Sequence, residues 1–161
     1  MRAWRLTHRR HAHDAFSGEG NRLVGSRWVP RGIPAVYTSG SSSGAVLETL
    51  VHLDVPQLRD NFVLFPVDIP EAVEVIELPR ESLPDEWNAT PAPGFLQLIG
   101  SAWIEAGESA VLGVPSVIVP AELNYILNPA HPDFGKIGVG EPEPFVFDGR
   151  LVPREGHKES E

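Results

Sequence analysis

The chain of 161 residues contains no cysteine. Disulfide bridges and thiolate metal sites are thereby excluded, and nothing calls for an oxidising compartment. No run approaches the roughly 18 apolar residues of a membrane span, and the opening stretch MRAWRLTHRRHAHDAF lacks the apolar segment of a secretory signal. A cytoplasmic protein without membrane contact is the expectation. Lysine is scarce: of 13 basic residues only Lys136 and Lys158 are lysines. The cation here is the guanidinium, whose planar fork matches phosphate and carboxylate bidentately. Nucleotide motifs are missing as well, with no G-x-x-x-x-G-K-[ST] and no G-x-G-x-x-G after a strand. No H-E-x-x-H pair occurs, and His8, His11 and His13 sit among arginines that repel a metal cation, so no metal site is expected.

The net charge of −9 argues against direct nucleic-acid binding. Its distribution is uneven. Arg2, Arg5, Arg9, Arg10, Arg22, Arg27 and Arg31 face only Asp14 and Glu19 within residues 1–31, so the remainder is strongly acidic. An arginine-rich opening segment on an acidic domain suits an anionic small molecule, or pairs with the protein's own carboxylates.

The length suits one domain. With 16 prolines and 15 glycines the elements should be short. Strands are read at Ala3–Thr7, Ala35–Thr38, Phe62–Ile69, Val73–Leu78, Ala110–Val119 and Pro144–Phe147, where apolar, β-branched and aromatic residues alternate or run together. Pro115 interrupts the fifth. His8–Phe16 reads as a short helix or irregular turn, and residues 18–32 as a glycine-punctuated loop carrying Arg22, Arg27 and Arg31. Helices are expected over Ala45–Leu53, capped by Ser42 or Ser43, and over Phe95–Ala106, closed by Gly107. Glu122–Leu127 reads as a short helical turn. Without a regular βαβ rhythm the fold class is α+β. Residues 1–153 form the domain and 154–161 a polar tail.

Three constellations carry chemistry. Gly40-Ser41-Ser42-Ser43-Gly44 matches the G-x-S-x-G pattern of a nucleophilic serine between strand and helix, with His131 and Asp133 or Glu122 as nominal partners. A chain this short lacks the large parallel sheet that usually carries that pattern. The second is Arg27, Tyr37 and Glu48 on a loop, a strand end and the following helix. Glu48 and His52, four apart, lie outside that helix's apolar stripe. Third, the basic opening segment by itself suits a non-catalytic interaction protein with an acidic partner.

The runs GSRWVPRGIPAVYTSGSSSGAVLETLVHL, VLGVPSVIVPAELNYILNPAHPDF and FVFDGRL, with WRLTH at the start, resemble in that order the RES-domain family, toxins of Xre-RES toxin–antitoxin modules. The likeness extends from Trp4 to Leu151. It implies a compact core like that of diphtheria-toxin-like ADP-ribosyltransferases. It also implies NAD⁺ as a substrate, without a prosthetic group. Members break the nicotinamide–ribose bond by phosphorolysis or hydrolysis, or transfer ADP-ribose to a protein. A cognate Xre-type helix-turn-helix antitoxin blocks the cleft, and homodimers occur within larger assemblies.

By that resemblance the arginine, glutamate and serine of the family fall at Arg27, Glu48 and Ser116. Glu48 would stabilise positive charge as it builds on the ribose. Arg27 would grip pyrophosphate or phosphate, with Arg5 as a second anion clamp. Tyr37 would stack on nicotinamide or its ribose, and Ser116 and Asn124 would contact the ligand. Asn128 lies in the same block. Ser42 then becomes scaffold on a turn that aims the helix bearing Glu48.

Overall fold

A computed structural model describes residues 1–59 and 61–151. The polar tail expected at 154–161 lies outside the described residues. One sheet organises the chain. Its strands are β1 (Arg2–His8), β2 (Val36–Ser39), β3 (Phe62–Asp68), β4 (Val75–Glu77), β5 (Val111–Pro115), β6 (Leu123–Leu127), β7 (Gly138–Val139) and β8 (Glu143–Phe145). They lie in the order β4-β5-β6-β2-β1-β3-β7, with β8 also on β3. Among the described residues only β4–β5 is parallel; the other pairs are antiparallel. Among the described residues three α-helices accompany the sheet, α1 (Glu19–Val24), α2 (Ser42–Leu50) and α3 (Gly94–Ala106). The architecture is α+β.

Strand alternation builds the core on both faces. Ala3, Val36, Val67, Val111 and Leu127 form one buried cluster. Leu112, Val114 and Ile126, one residue out of phase, join Trp28, Leu96 and Trp103 in a second under α3. A third gathers Leu6, Ala45, Phe62 and Phe147 beneath α2.

Several elements depart from the sequence expectation. Leu123–Leu127 is the strand β6, not a helical turn, because its backbone pairs with both β2 and β5. A short apolar run does not reveal its period locally, and two strand partners outweigh the turn reading. The strand read to Val119 stops at Pro115, after which Ser116 N donates to Glu122 O and closes the β5–β6 hairpin. Residues 19–24 of the expected loop are helical, between Gly18 (φ 76°) and Gly25 (φ 75°), with Arg22 paired to Glu19 inside α1. Ser41, not Ser42 or Ser43, caps α2: its Oγ accepts from Gly44 N at 2.9 Å.

Gly100 lets α3 press on the backbone that carries Arg27. A methyl group at residue 100 would overlap the Trp28 carbonyl oxygen, whereas one at Gly94, on the same helix, meets nothing within 4 Å. Alanine ordinarily stabilises an exposed helix relative to glycine by about 0.5–1 kcal/mol. Gly100→Ala is expected to reverse that sign and destabilise by about 2 kcal/mol or more through overpacking, while Gly94→Ala is neutral or stabilising. Urea unfolding of the two variants measures the contrast.

Candidate active site

A cleft of about 910 Å³ opens beside α2. Its floor comes from β1, β2, β5 and β6 through Trp4, Tyr37, Ser39, Val114 and Asn124. One wall is α2, with Ala45, Glu48 and Thr49; residues 24–28 with Thr90 and Ala92 form another, and Val117 and Ile118 a third.

Glu48 is held by the β5–β6 hairpin. Ser116 Oγ donates to Glu48 Oε1 at 2.8 Å, and Asn124 Nδ2 donates to the same oxygen at 2.6 Å. Ser116 is buried and is itself fixed, because its Oγ accepts from the amides of Ile118 (3.2 Å) and Val119 (3.0 Å). The start of α2 is tied to the same hairpin: Ser41 Oγ donates to Glu122 Oε2 at 2.7 Å. Helix and hairpin are thus joined at two points, and the carboxylate bond is the one inside the cleft. Both donors are neutral, so neither brings a countercharge to the carboxylate.

Arg27 belongs to the opposing wall. Its Nη1 donates to the carbonyl oxygens of Trp87 (3.1 Å) and Ala89 (3.0 Å). Burial lowers its pKa from the ordinary arginine value, and the Glu48 carboxylate pulls it back up. The adjacent Ser26 ties this loop to the floor, since its Oγ donates to the Tyr37 hydroxyl, while Gln97 Nε2 donates to Ser26 O at 2.7 Å. Burial pushes the Tyr37 phenol up to about 12, against the pull of the Ser26 hydroxyl and the Trp28 and Val29 backbone. Tyr37 is therefore neutral at physiological pH, with its hydroxyl engaged by the Arg27 loop.

Arg5 sits where the sheet changes character. β1 and β2 share the single register pair Trp4–Ser39, and one residue further Arg5 Nη1 donates to Tyr37 O at 2.7 Å. Its Nε is buried and has no hydrogen-bond partner. Burial draws the guanidinium down to about 10, only partly offset by Asp14, so it remains cationic at neutral pH. Among the described residues neither Arg5 nor Arg27 forms an ion pair with a carboxylate.

Five residues singled out from sequence, Arg5, Arg27, Tyr37, Glu48 and Asn124, line this one cleft, and Ser116 reaches it through Glu48. Ser42 does not line it. His131, its nominal base, has Nε2 on Gly107 O and Nδ1 accepting from Asp133 N, and Glu122 is occupied with Ser41. Asn128 is turned to local structure, its Oδ1 accepting from Ala130 N. Sequence reasoning missed Ser26 and Ser39; the signal for Ser39, a hydroxyl opposite a polar partner across two strands, exists only once the register is known, and Ser26 meets Tyr37 only when its loop folds onto β2. Among the described residues no three His, Cys, Asp or Glu side chains come together to hold a metal ion, and no helix is long and apolar enough to cross a membrane.

A guanidinium whose Nε is buried without a partner, and which has no carboxylate within ion-pair distance, costs stability that an apolar side chain of similar length does not. Arg5→Met is accordingly expected to be neutral to stabilising by about 1 kcal/mol in urea unfolding. Strong destabilisation would mean that the Tyr37 carbonyl bond outweighs desolvation.

Comparison with known proteins identifies the family. The RES domain model matches residues 2–148. A Photorhabdus laumondii protein named Toxin Res is 44% identical over 155 residues, covering 94% of this chain and 97% of that protein. A Sphingobium protein named Prs ADP-ribosylating toxin is 36% identical over 154 residues, covering 92% and 95%. A chain from the crystal structure of the M. tuberculosis MbcT-MbcA toxin-antitoxin complex has the same fold, with a TM-score of 0.76 at 19% identity over 90% of this chain and 84% of that one. The chain belongs to the RES domain family.

Proposed function

We propose that this protein is the toxin of a toxin–antitoxin module and acts on NAD⁺ by opening the bond between nicotinamide and ribose. The observation that carries the reading is the Glu48 carboxylate, held at one oxygen by Ser116 and Asn124 inside a cleft that also presents Arg27 and Arg5. The names of the relatives, Toxin Res and Prs ADP-ribosylating toxin, support it.

In this reading the C1′–N bond breaks with its electron pair leaving on nicotinamide, and the ribose becomes cationic. A fixed carboxylate lowers that state more than the ground state, which is what accelerates a reaction. Arg27 takes the pyrophosphate, and Arg5 is the second anion clamp deeper in the cleft. The ring of Tyr37 supplies a flat wall for nicotinamide or its ribose, while its hydroxyl keeps the Arg27 loop in place. Phosphate, water or a protein side chain then closes on C1′ and gives up a proton. Residues 1–153 constitute the catalytic unit, built like a diphtheria-toxin-like ADP-ribosyltransferase core. The partner is an antitoxin of the Xre helix-turn-helix type that covers the cleft, as the toxin-antitoxin complex of the structural relative suggests.

Glu48→Gln keeps the shape and removes the charge. It is expected to lower NAD⁺ turnover by about 10²–10³-fold, read as nicotinamide released by purified protein free of antitoxin, whereas Ser42→Ala stays within about threefold of the parent. The reverse pattern would return the serine-hydrolase reading.

A further inference from the structure

Glu48 is useful only if its carboxylate is presented in one orientation, and Asn124 is one of the two groups that fix it. An asparagine amide has a donor end and an acceptor end on a symmetric frame, so something must decide which end faces the carboxylate. Turned the other way, its carbonyl oxygen would oppose the Glu48 oxygen with no proton between them.

Ser39 makes that choice. Its Oγ donates to Asn124 Oδ1 at 2.8 Å, which leaves Nδ2 to donate to Glu48 Oε1 at 2.6 Å. The contact follows from the fold: Ser39 ends β2 and is the register partner of Asn124 in β6. Ser39 is 4% exposed, so water does not readily replace its hydroxyl. Ser39, Asn124 and Glu48 form a directed chain, and its last bond shares Oε1 with Ser116, so both donors spare Oε2.

We propose that Ser39 is a positioning residue for the reaction: acting through Asn124, it locks the amide so that Glu48 is pinned by Oε1 and offers Oε2 to the ribose. The inference rests on the reading of Glu48 given above. It also reassigns Asn124 from ligand contact to support of the carboxylate.

The test is a double-mutant cycle of Ser39→Ala and Asn124→Ala, with Glu48→Gln alongside. One lost hydrogen bond in the chain predicts that Ser39→Ala lowers kcat for NAD⁺ by about five- to tenfold with KM within about twofold. In the Asn124→Ala background the same change is expected to cost less than about twofold, because its only route is gone. An independent readout is the Asn124 side-chain amide in a ¹⁵N-labelled sample, whose two protons should lose their shift separation and exchange protection in Ser39→Ala. Ser39→Cys, nearly isosteric and a weaker donor, serves if the alanine variant does not fold.

Wild-type kcat in Ser39→Ala, an equal cost in both backgrounds, a rise in KM alone or an unchanged amide signal would each overturn the proposal. If Glu48→Gln keeps full turnover, the reading of Glu48 fails instead. The amide signal then still reports whether Ser39 orients Asn124.

Discussion

A carboxylate at the edge of an open cleft ordinarily samples several rotamers and satisfies both oxygens with water. In this protein two neutral donors from one hairpin meet the same oxygen of Glu48, and that convergence fixes the side chain without bringing a countercharge to it. Much of the fold serves it. The β2–β6 register sets Ser39 against Asn124, the β5–β6 turn delivers Ser116, and the Ser41–Glu122 bond holds the first turn of α2 to the same hairpin. A slip of one residue in β6 would turn Asn124 to the other face of the sheet and remove one donor.

The two arginines follow the same logic with opposite sign. Both are held by backbone carbonyls, at Tyr37 for Arg5 and at Trp87 and Ala89 for Arg27, and a carbonyl orients a guanidinium without cancelling its charge. The cleft therefore contains one anion and two cations that, among the described residues, form no ion pair, although Glu48 acts on Arg27 and Asp14 on Arg5 at longer range. Folding alone rewards that arrangement little, since a half-buried charge without an ion-pair partner gives up part of its hydration with little in return. A ligand bearing anionic groups beside a centre that becomes cationic supplies what each is missing, so the charges are stabilised on binding rather than on folding.

The sequence made the two ends of this arrangement legible and hid the middle. Glu48 stood out because its helix has a clear apolar stripe that it does not join, and Arg27 because it falls with an aromatic and that carboxylate on a loop, a strand end and the following helix; Arg5 came from the family resemblance. Most strands were readable from β-branched runs. β6 was not, since Leu123–Leu127 is too short to show its period and its identity as a strand comes from register partners 85 to 91 residues away in β2 and 8 to 16 residues away in β5. Ser39 and Ser26 carried no local signal, because their roles lie in bonds to Asn124 and Tyr37 that only the tertiary structure creates. The family resemblance supplied the grouping of Arg27, Glu48 and Ser116; the geometry adds that Ser116 reaches Glu48.

The central claim is that Glu48 keeps Oε1 on its two donors and turns Oε2 toward the ribose. A crystal structure of the wild-type protein with a dinucleotide whose nicotinamide–ribose link is an unreactive carbon–carbon bond tests this most directly. The account predicts Oε2 within about 3.2 Å of a ribose hydroxyl or in contact with C1′, the Ser116 and Asn124 bonds intact, and the pyrophosphate on Arg27. A dinucleotide bound outside the cleft, or Glu48 rotated off the hairpin to reach it, would contradict the account.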